Sequence, residues 1–422
     1  MEPENRTAVS EFLLLGLSEK PEHQIFLFGL FLPMYLVTIF GNLLIILAII
    51  TDSHLHTPMY FFLCNLSLVD IFFSSTTVPK MLVNLWNQSK AIPFAGCLAQ
   101  MYAFHLFGTM DSFLLAVMAI DRFMAIVHPL RYLAIMSPRV CGLLVVGSWL
   151  ITNLQSIVHT SLMAQLTFCA GSEIPHFFCD LMPLLKLSCS DTHTNELVIF
   201  AFGIIMGISP LTCILLSYIC IFWAVFKIPS AQGKWKAFST CGSHLTVVTL
   251  FYGTIFAVYL QPVSPTSSQK DKAAALMCGV VIPMLNPFIY SLRNKNMKAA
   301  LRKLFSKLVI FAFSIIMGPL TCILPSYICI FWAVFKIPSA QGKWKSFSTC
   351  GSNLTVVTLF YGTIFSAYLQ PASPTSLQKD KAAALMCGVV IPMLNPFIYS
   401  LRNKNMKAAL RKLVSNVVRS QS

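Results

Sequence analysis

Seven long apolar runs decide most of what this chain can become. They cover residues 25–50, 58–82, 98–127, 140–162, 197–226, 238–260 and 273–292. About 20 apolar residues in a helix cross a bilayer, so each run suffices for one crossing. Only 11% of the 422 residues are charged and 56% are hydrophobic, whereas a soluble domain is about 25% charged. Too little charge remains to cover a water-facing surface, and disorder fails for the same reason. The 19 glycines and 23 prolines are too few for a collagen-like fibre. The runs are continuous rather than alternating, which argues against a β-barrel. The expected class is all-α: a polytopic membrane protein with a seven-helix bundle.

The net charge of +15 first suggests nucleic acid. Its distribution argues against that partner. The bases gather in alternate loops: Arg131 and Arg139, then Lys227, Lys234 and Lys236, then Arg293, Lys295, Lys298, Arg302 and Lys303. The acids Glu173, Asp180, Asp191, Glu196 and Asp271 gather in the others. That is the positive-inside pattern. It predicts an extracellular amino terminus and a cytoplasmic Leu304. The first twelve residues are acidic and polar and lack a signal peptide's basic region, so the first run is expected to be an uncleaved anchor. Residues 294–307 alternate bases with Met, Ala, Leu and Phe, which suits an amphipathic helix lying on lipid.

Beyond residue 304 the chain repeats itself. LVIFAFGIIMG from Leu197 returns as LVIFAFSIIMG from Leu308, and the match runs on to LRNKNMKAALRKL, ending at Leu413. Two residues, Ile208 and Ser209, are missing from the second copy, and eight positions differ. Leu216 becomes Pro325 and His244 becomes Asn353. Structural repeats recur at short periods and diverge; a single near-verbatim copy of three spans reads as a partial duplication. Two domains follow, 1–304 with seven spans and 305–422 with the copied fifth to seventh.

Within the spans, ionisable groups are costly and commonly functional. Asp70 and Asp111 fall mid-span, with Asn42 and Asn286 as polar companions. Two carboxylates in one bundle repel unless a proton or a cation lies between them, so a sodium ion or a shared proton is expected there. Asp121-Arg122 closes the third run, where opposite charges can pair. Most of the fourteen cysteines lie inside spans. Cys97, Cys169, Cys179 and Cys189 do not, and an oxidising face permits them any of three pairings. Asn5 and Asn87 head glycosylation sequons on the same face.

These motifs carry a resemblance. MAIDRFMAIVHPLRY at 118–132, LHTPMYFFLCNLSLVD at 55–70, KAFSTCGSHLTVV at 236–248, PMLNPFIYSLRNK at 283–295, SY at 217–218 and HFFCD at 176–180 resemble the odorant receptors of the rhodopsin-like G-protein-coupled class. The resemblance runs from Asn5 to Leu304. It implies a plasma-membrane receptor that binds small, mostly uncharged volatile molecules and activates the stimulatory olfactory G protein, raising cyclic AMP. It implies bridges Cys97–Cys179 and Cys169–Cys189. Where the family usually has tyrosine on both sides of the Asp-Arg pair, this chain has Ile120 and Phe123.

Under this reading Asp121 holds Arg122 at rest; on activation Arg122 meets Tyr218 while the sixth helix, with His244, swings out. Helical spacing places Phe104, His105, Gly108 and Thr109 of the third helix toward a ligand pocket. Tyr252, Ile255 and Tyr259 face it from the sixth. None of the seven is a carboxylate, which disfavours an amine ligand. Two rival readings are a secondary transporter with an internal repeat and a receptor-like chain disabled by its tail. No metal-spaced His/Glu cluster or nucleophile motif suggests an enzyme, and no cofactor is expected apart from the possible sodium.

Overall fold

The computed structural model describes residues 10–18, 20–87, 90–168, 172–259, 267–368 and 385–394. They form two compact units, Met1–Val309 and Ile310–Ser422.

In the first unit the apolar runs become helices α1 (Pro21–Thr51), α2 (Pro58–Asn87), α3 (Phe94–Val127), α5 (Pro138–Ala164), α7 (His193–Phe226) and α8 (Ala231–Tyr259). The last run is broken. Helix α9 (Ser267–Leu276) passes through a π-turn at Met277–Val281 into α10 (Ile282–Arg293). Proline opens α1 and α5, where its missing N–H costs nothing. Short helices α4 (Tyr132–Ile135) and α6 (Leu181–Leu185) lie in loops. Among the described residues, five helical segments are long and apolar enough to cross a membrane: Glu22–Thr51, Pro58–Asn87, Pro138–Ala164, His193–Phe226 and Gln269–Ser291. Helix α3 is not among them, although it is 34 residues long. It packs against α2, α5, α7 and α8. Being wrapped by protein, it can carry Asp111, Asp121 and Arg122 without showing them to lipid.

The core runs through the middle of the bundle, with Ile45, Leu66, Met110, Leu114, Ile214, Val247 and Tyr290 all buried. Outward faces remain apolar and exposed, as Leu143 and Phe200 show. Without a hydrophobic drive between helices in lipid, tight contacts hold such a bundle together. One is at Gly41, where a Cβ would meet Pro287 of α10 at 3.0 Å.

One end of the bundle carries a small sheet that sequence reasoning did not foresee. Strand β1 (Glu11–Leu14) lies between β2 (Ala91–Pro93), antiparallel, and β3 (Glu173–Ile174), parallel. Phe12 and Leu14 are fully buried beneath it. The Phe12 ring meets Phe168 edge-on at 5.3 Å and Phe94 at 6.0 Å. The Lys272 ammonium donates to the Gly16 carbonyl at 2.9 Å. This sheet end also holds the Cys97–Cys179 disulfide.

At the opposite end, Asn294 caps α11 (Lys295–Phe335), accepting from the Asn296 and Met297 amides. Met297, Ala300 and Leu304 of this helix are buried, a stripe at helical spacing. Lys303 pairs with Asp52 at 3.1 Å. His54 and then Lys303 hold the Asp52 carboxyl down to about 2.

In the second unit, the rest of α11 is followed by α12 (Ala340–Tyr368) and a π-turn at Met386–Val390. Pro319 and Pro325 lie inside α11. Large apolar side chains stand exposed along these helices, among them Phe311, Ile328, Trp332 and Leu354.

Candidate functional site

Near the end of α3 opposite the sheet, Asp121 and Arg122 are both buried. The expected pairing between them is not what the structure shows. The Tyr132 hydroxyl of α4 donates to Asp121 Oδ1 at 2.7 Å, and among the described residues no ion pair joins Asp121 to Arg122. A tyrosine eleven residues on reaches the carboxylate first. Arg122 Nε is buried without a hydrogen-bond partner. Its charge acts on Tyr60, Tyr218, His244 and Tyr290.

Beside Arg122, His244 of α8 joins two other helices. Its Nε2 lies 3.0 Å from the Leu115 carbonyl of α3. A carbonyl only accepts, so Nε2 carries the proton. Nδ1 then accepts from the Tyr218 hydroxyl of α7 at 2.8 Å, and the two rings stack at 5.7 Å. Tyr218, His244 and Arg122 are thus gathered at one place, with Tyr218 engaged by His244.

Deeper in the bundle, Asn286 donates to Asp70 Oδ2 at 2.8 Å, and Asn42 donates to the Pro283 carbonyl at 3.0 Å. These bonds join α1, α2 and α10 around the centre. Among the described residues, the buried oxygens without a hydrogen bond include Oδ1 of Asn42, Asp70, Asp111 and Asn286. Asp111 feels the charge of Asp70. Among the described residues, no group of three His, Cys, Asp or Glu could hold a metal; the donors here are two carboxylates and two amides.

The seven pocket residues take different places. Phe104 packs against Phe178 at 4.2 Å and Phe73 at 5.1 Å, its ring tilted to both. Gly108 faces α2, where a Cβ would sit 3.2 Å from the Phe73 ring. Thr109 is half-buried. The Tyr252 hydroxyl shares a 2.7 Å hydrogen bond with Ser112; both it and Ile255 pack in the main core. Tyr259 ends α8, and its side chain lies outside the described residues. His105 Nε2 comes within 3.7 Å of Asp180 Oδ1, and its ring lies 6.0 Å from His159 of α5. A carboxylate therefore stands beside this part of α3, which the seven residues alone did not reveal. Burial pushes the Asp180 carboxyl up. His176, almost fully buried, is held down to about 4 by the same cause.

Cys97 is bonded to Cys179, which fixes Asp180 over α3. Cys189 is also disulfide-bonded, whereas Cys169 lies outside the described residues. So does Asn5. Asn87 is exposed at the end of α2.

A seven-helix bundle with this disulfide, adjacent buried Asp121 and Arg122 and a broken last helix fits the rhodopsin-like class. The fold matches that of squid rhodopsin with a TM-score of 0.52, at 19% identity, over 69% of this chain and 87% of that one. The family model described as olfactory receptor matches residues 31–308 and again 308–417. Human olfactory receptor 1I1 is 79% identical over 74% of this chain and 87% of its own length. Gorilla olfactory receptor 1G1 is 62% identical over 72% and 97%, and rat olfactory receptor 1f45 is 61% identical over 72% and 98%. The chain belongs to the olfactory receptor family, a multi-pass, non-enzymatic receptor class.

Proposed function

We propose that this receptor detects small, mostly uncharged odorants from outside the plasma membrane and activates the stimulatory olfactory G protein, raising cyclic AMP. Its amino terminus and sheet face outward; Arg122 and the lipid-associated stretch 294–307 face the cytoplasm. The observation that carries this reading is Arg122: a buried guanidinium with Nε unpartnered, beside the Tyr218–His244–Leu115 linkage across α7, α8 and α3. A guanidinium can bind the backbone carbonyls of an inserted partner segment. Ligand bias of a two-state equilibrium then acts by loosening His244 from its partners. Arg122→Ala should reach the surface and give no cyclic AMP response; a normal dose–response curve would sink the assignment.

The pocket reading rests on Phe104, His105, Gly108, Thr109, Tyr252, Ile255 and Tyr259 together. His105, Thr109 and the ring of Phe104 offer the more direct contacts, while Tyr252 and Ile255 back the α3 face. The four unpartnered oxygens of Asn42, Asp70, Asp111 and Asn286 fit a sodium ion or a shared proton, either of which would relieve the repulsion between the two carboxylates. Asp70→Asn and Asp111→Asn should each weaken any sodium dependence of signalling. A Cys169–Cys189 bridge and glycosylation at Asn5, with Asn87 as the second acceptor, complete the outer face.

The segment 305–422 does not form a second signalling half in this reading. With Leu304 cytoplasmic, the basic stretches 336–345 and 402–412 would have to lie outside if all three copied spans inserted, against the positive-inside rule. Its 12 basic residues face one acid.

A further inference from the structure

A cavity of about 250 Å³ lies where the turn after α1 meets the start of α11, and none of the residues assigned to coupling or to the odorant pocket lines it. On one side stand Asp52, Ser53 and His54; on the other stand Lys303 and Lys307, which share a helix face at i, i+4 spacing. Asp52 ties the two sides together. Its carboxylate accepts from the His54 amide at 3.2 Å, lies 2.9 Å from His54 Nδ1, and takes the Lys303 ammonium at 3.1 Å. Buried Ala300 and Leu304 anchor α11 at this place. The Asp52 side chain is 13% exposed, whereas those of Lys303 and His54 are 61% and 81% exposed. The donors face outward and the acid stands behind them.

Positive charge is left over. An ammonium has three donors, and Lys303 gives one of them to Asp52. Among the described residues no carboxylate pairs with Lys307. We propose that this cavity binds a phosphate monoester, with Lys303 and Lys307 on its terminal oxygens and the Ser53 hydroxyl as a further donor. A monoester carries nearly two negative charges and three strong acceptor oxygens near pH 7, which matches two ammoniums and a hydroxyl. A carboxylate or a phosphodiester brings one charge only. In the reading above this end of the bundle faces the cytoplasm, where the leaflet is rich in anionic lipid. A phosphorylated inositol lipid is therefore one source of the group, and a soluble phosphate ester is the other. The site goes beyond odorant detection: it fixes the start of α11 to a single headgroup, whereas a merely basic helix is attracted to the whole leaflet.

The test titrates the full chain, purified in detergent, with dioctanoyl phosphatidylinositol 4,5-bisphosphate and follows binding by native mass spectrometry. Lys307→Ala should weaken binding about fivefold, the share of one lysine beside anionic headgroups, and Lys307→Arg should retain it. Lys307 is exposed, so the melting temperature of the alanine variant should match the parent. Lys298 is exposed on the same helix but does not line the cavity, and Lys298→Ala should leave binding unchanged. Equal losses at the two lysines would reveal a generic basic surface and overturn the proposal. So would an unchanged affinity in Lys307→Ala, or equally tight binding of dioctanoyl phosphatidylserine, which has no phosphate monoester. Inositol 1,4,5-trisphosphate and inorganic phosphate separate the two sources. Competition by either at the concentration the lipid requires assigns the site to a soluble ester; binding of the lipid alone assigns it to the leaflet, and both results uphold the monoester. The measurement reads no signalling, so its failure leaves the odorant reading standing, and a normal response in Arg122→Ala leaves this site standing.

Discussion

The same stretch of sequence occurs twice in this chain and is packed in two ways. In α7, Ile214 is 1% exposed, Ile221 4% and Ser217 is buried. Their counterparts in α11 are Ile323, half-buried, Ile330, 40% exposed, and Ser326, exposed. In α8, Phe251 is 5% exposed and His244 fully buried; in α12, Phe360 is 37% exposed and Asn353 exposed. The outward face does not change: Leu215 is 53% exposed and its copy Leu324 54%. Both copies are helical, because helix needs only local hydrogen bonds and apolar surroundings. Burial of the inward face needs partners. Helix α7 has α3, α5 and α8 against it. Residue identity decides which side of the helix is capable of packing; the helices alongside decide whether it packs.

This difference can be broken by moving the tail's own substitutions into the first copy. Leu216→Pro reproduces Pro325 inside α7. An interior proline costs about 3 kcal/mol or more, so this variant should fall sharply in thermal stability and surface delivery; Pro325→Leu should change neither. Next in size, Ile214→Ala should cost about 2 kcal/mol by leaving a gap beside α3, whereas Ile323→Ala should stay within about 0.5 kcal/mol. Equal losses for the two alanines, measured by melting in detergent, would show that both copies are packed alike.

His244→Asn imports the tail's residue at the switch. An amide cannot span from the Leu115 carbonyl to Tyr218 as the imidazole does, so at least one bond is lost, worth about 1 kcal/mol. That should loosen α8 and raise resting cyclic AMP. A resting signal at or below the parent value would argue that His244 does not restrain the bundle.

The smallest effect concerns acid. His176 titrates near 6.5 when unfolded and about 4 in the sheet end. Between those values the unfolded state binds more protons, so stability falls as pH falls. Acidifying from pH 7.4 to 6 should cost about 1 kcal/mol, and His176→Phe should remove that sensitivity. The tail has no copy of this segment, so truncating it should leave the acid response intact.

The sequence made the spans legible, because a continuous apolar run admits few other structures. It also brought out Asp70 with Asn286, and Tyr218 with His244, as groups worth watching. Several features were less legible. Strand β1 is four residues long, and its alternation of exposed and buried positions is too short to stand out from the apolar background. The neighbours of His105 and Asp121 were also hidden. Asp180 reaches His105 only because the Cys97–Cys179 bridge folds a distant loop over α3. Tyr132 reaches Asp121 only because α4 turns back under the bundle. Spacing along one helix says nothing about what another segment brings to it. The adjacency of Asp121 and Arg122 in sequence pointed to a pair that the structure does not make.

The central claim is that signalling resides in the first seven helices and owes nothing to the copied three. Truncation after Leu304 tests it most directly, since burial along α11 fades beyond that residue, with Phe305 51% and Val309 66% exposed. Cyclic AMP response and surface expression of the truncated receptor should equal or exceed those of the full chain. A truncated receptor that reaches the surface and stays silent, while the full chain responds, would contradict the account.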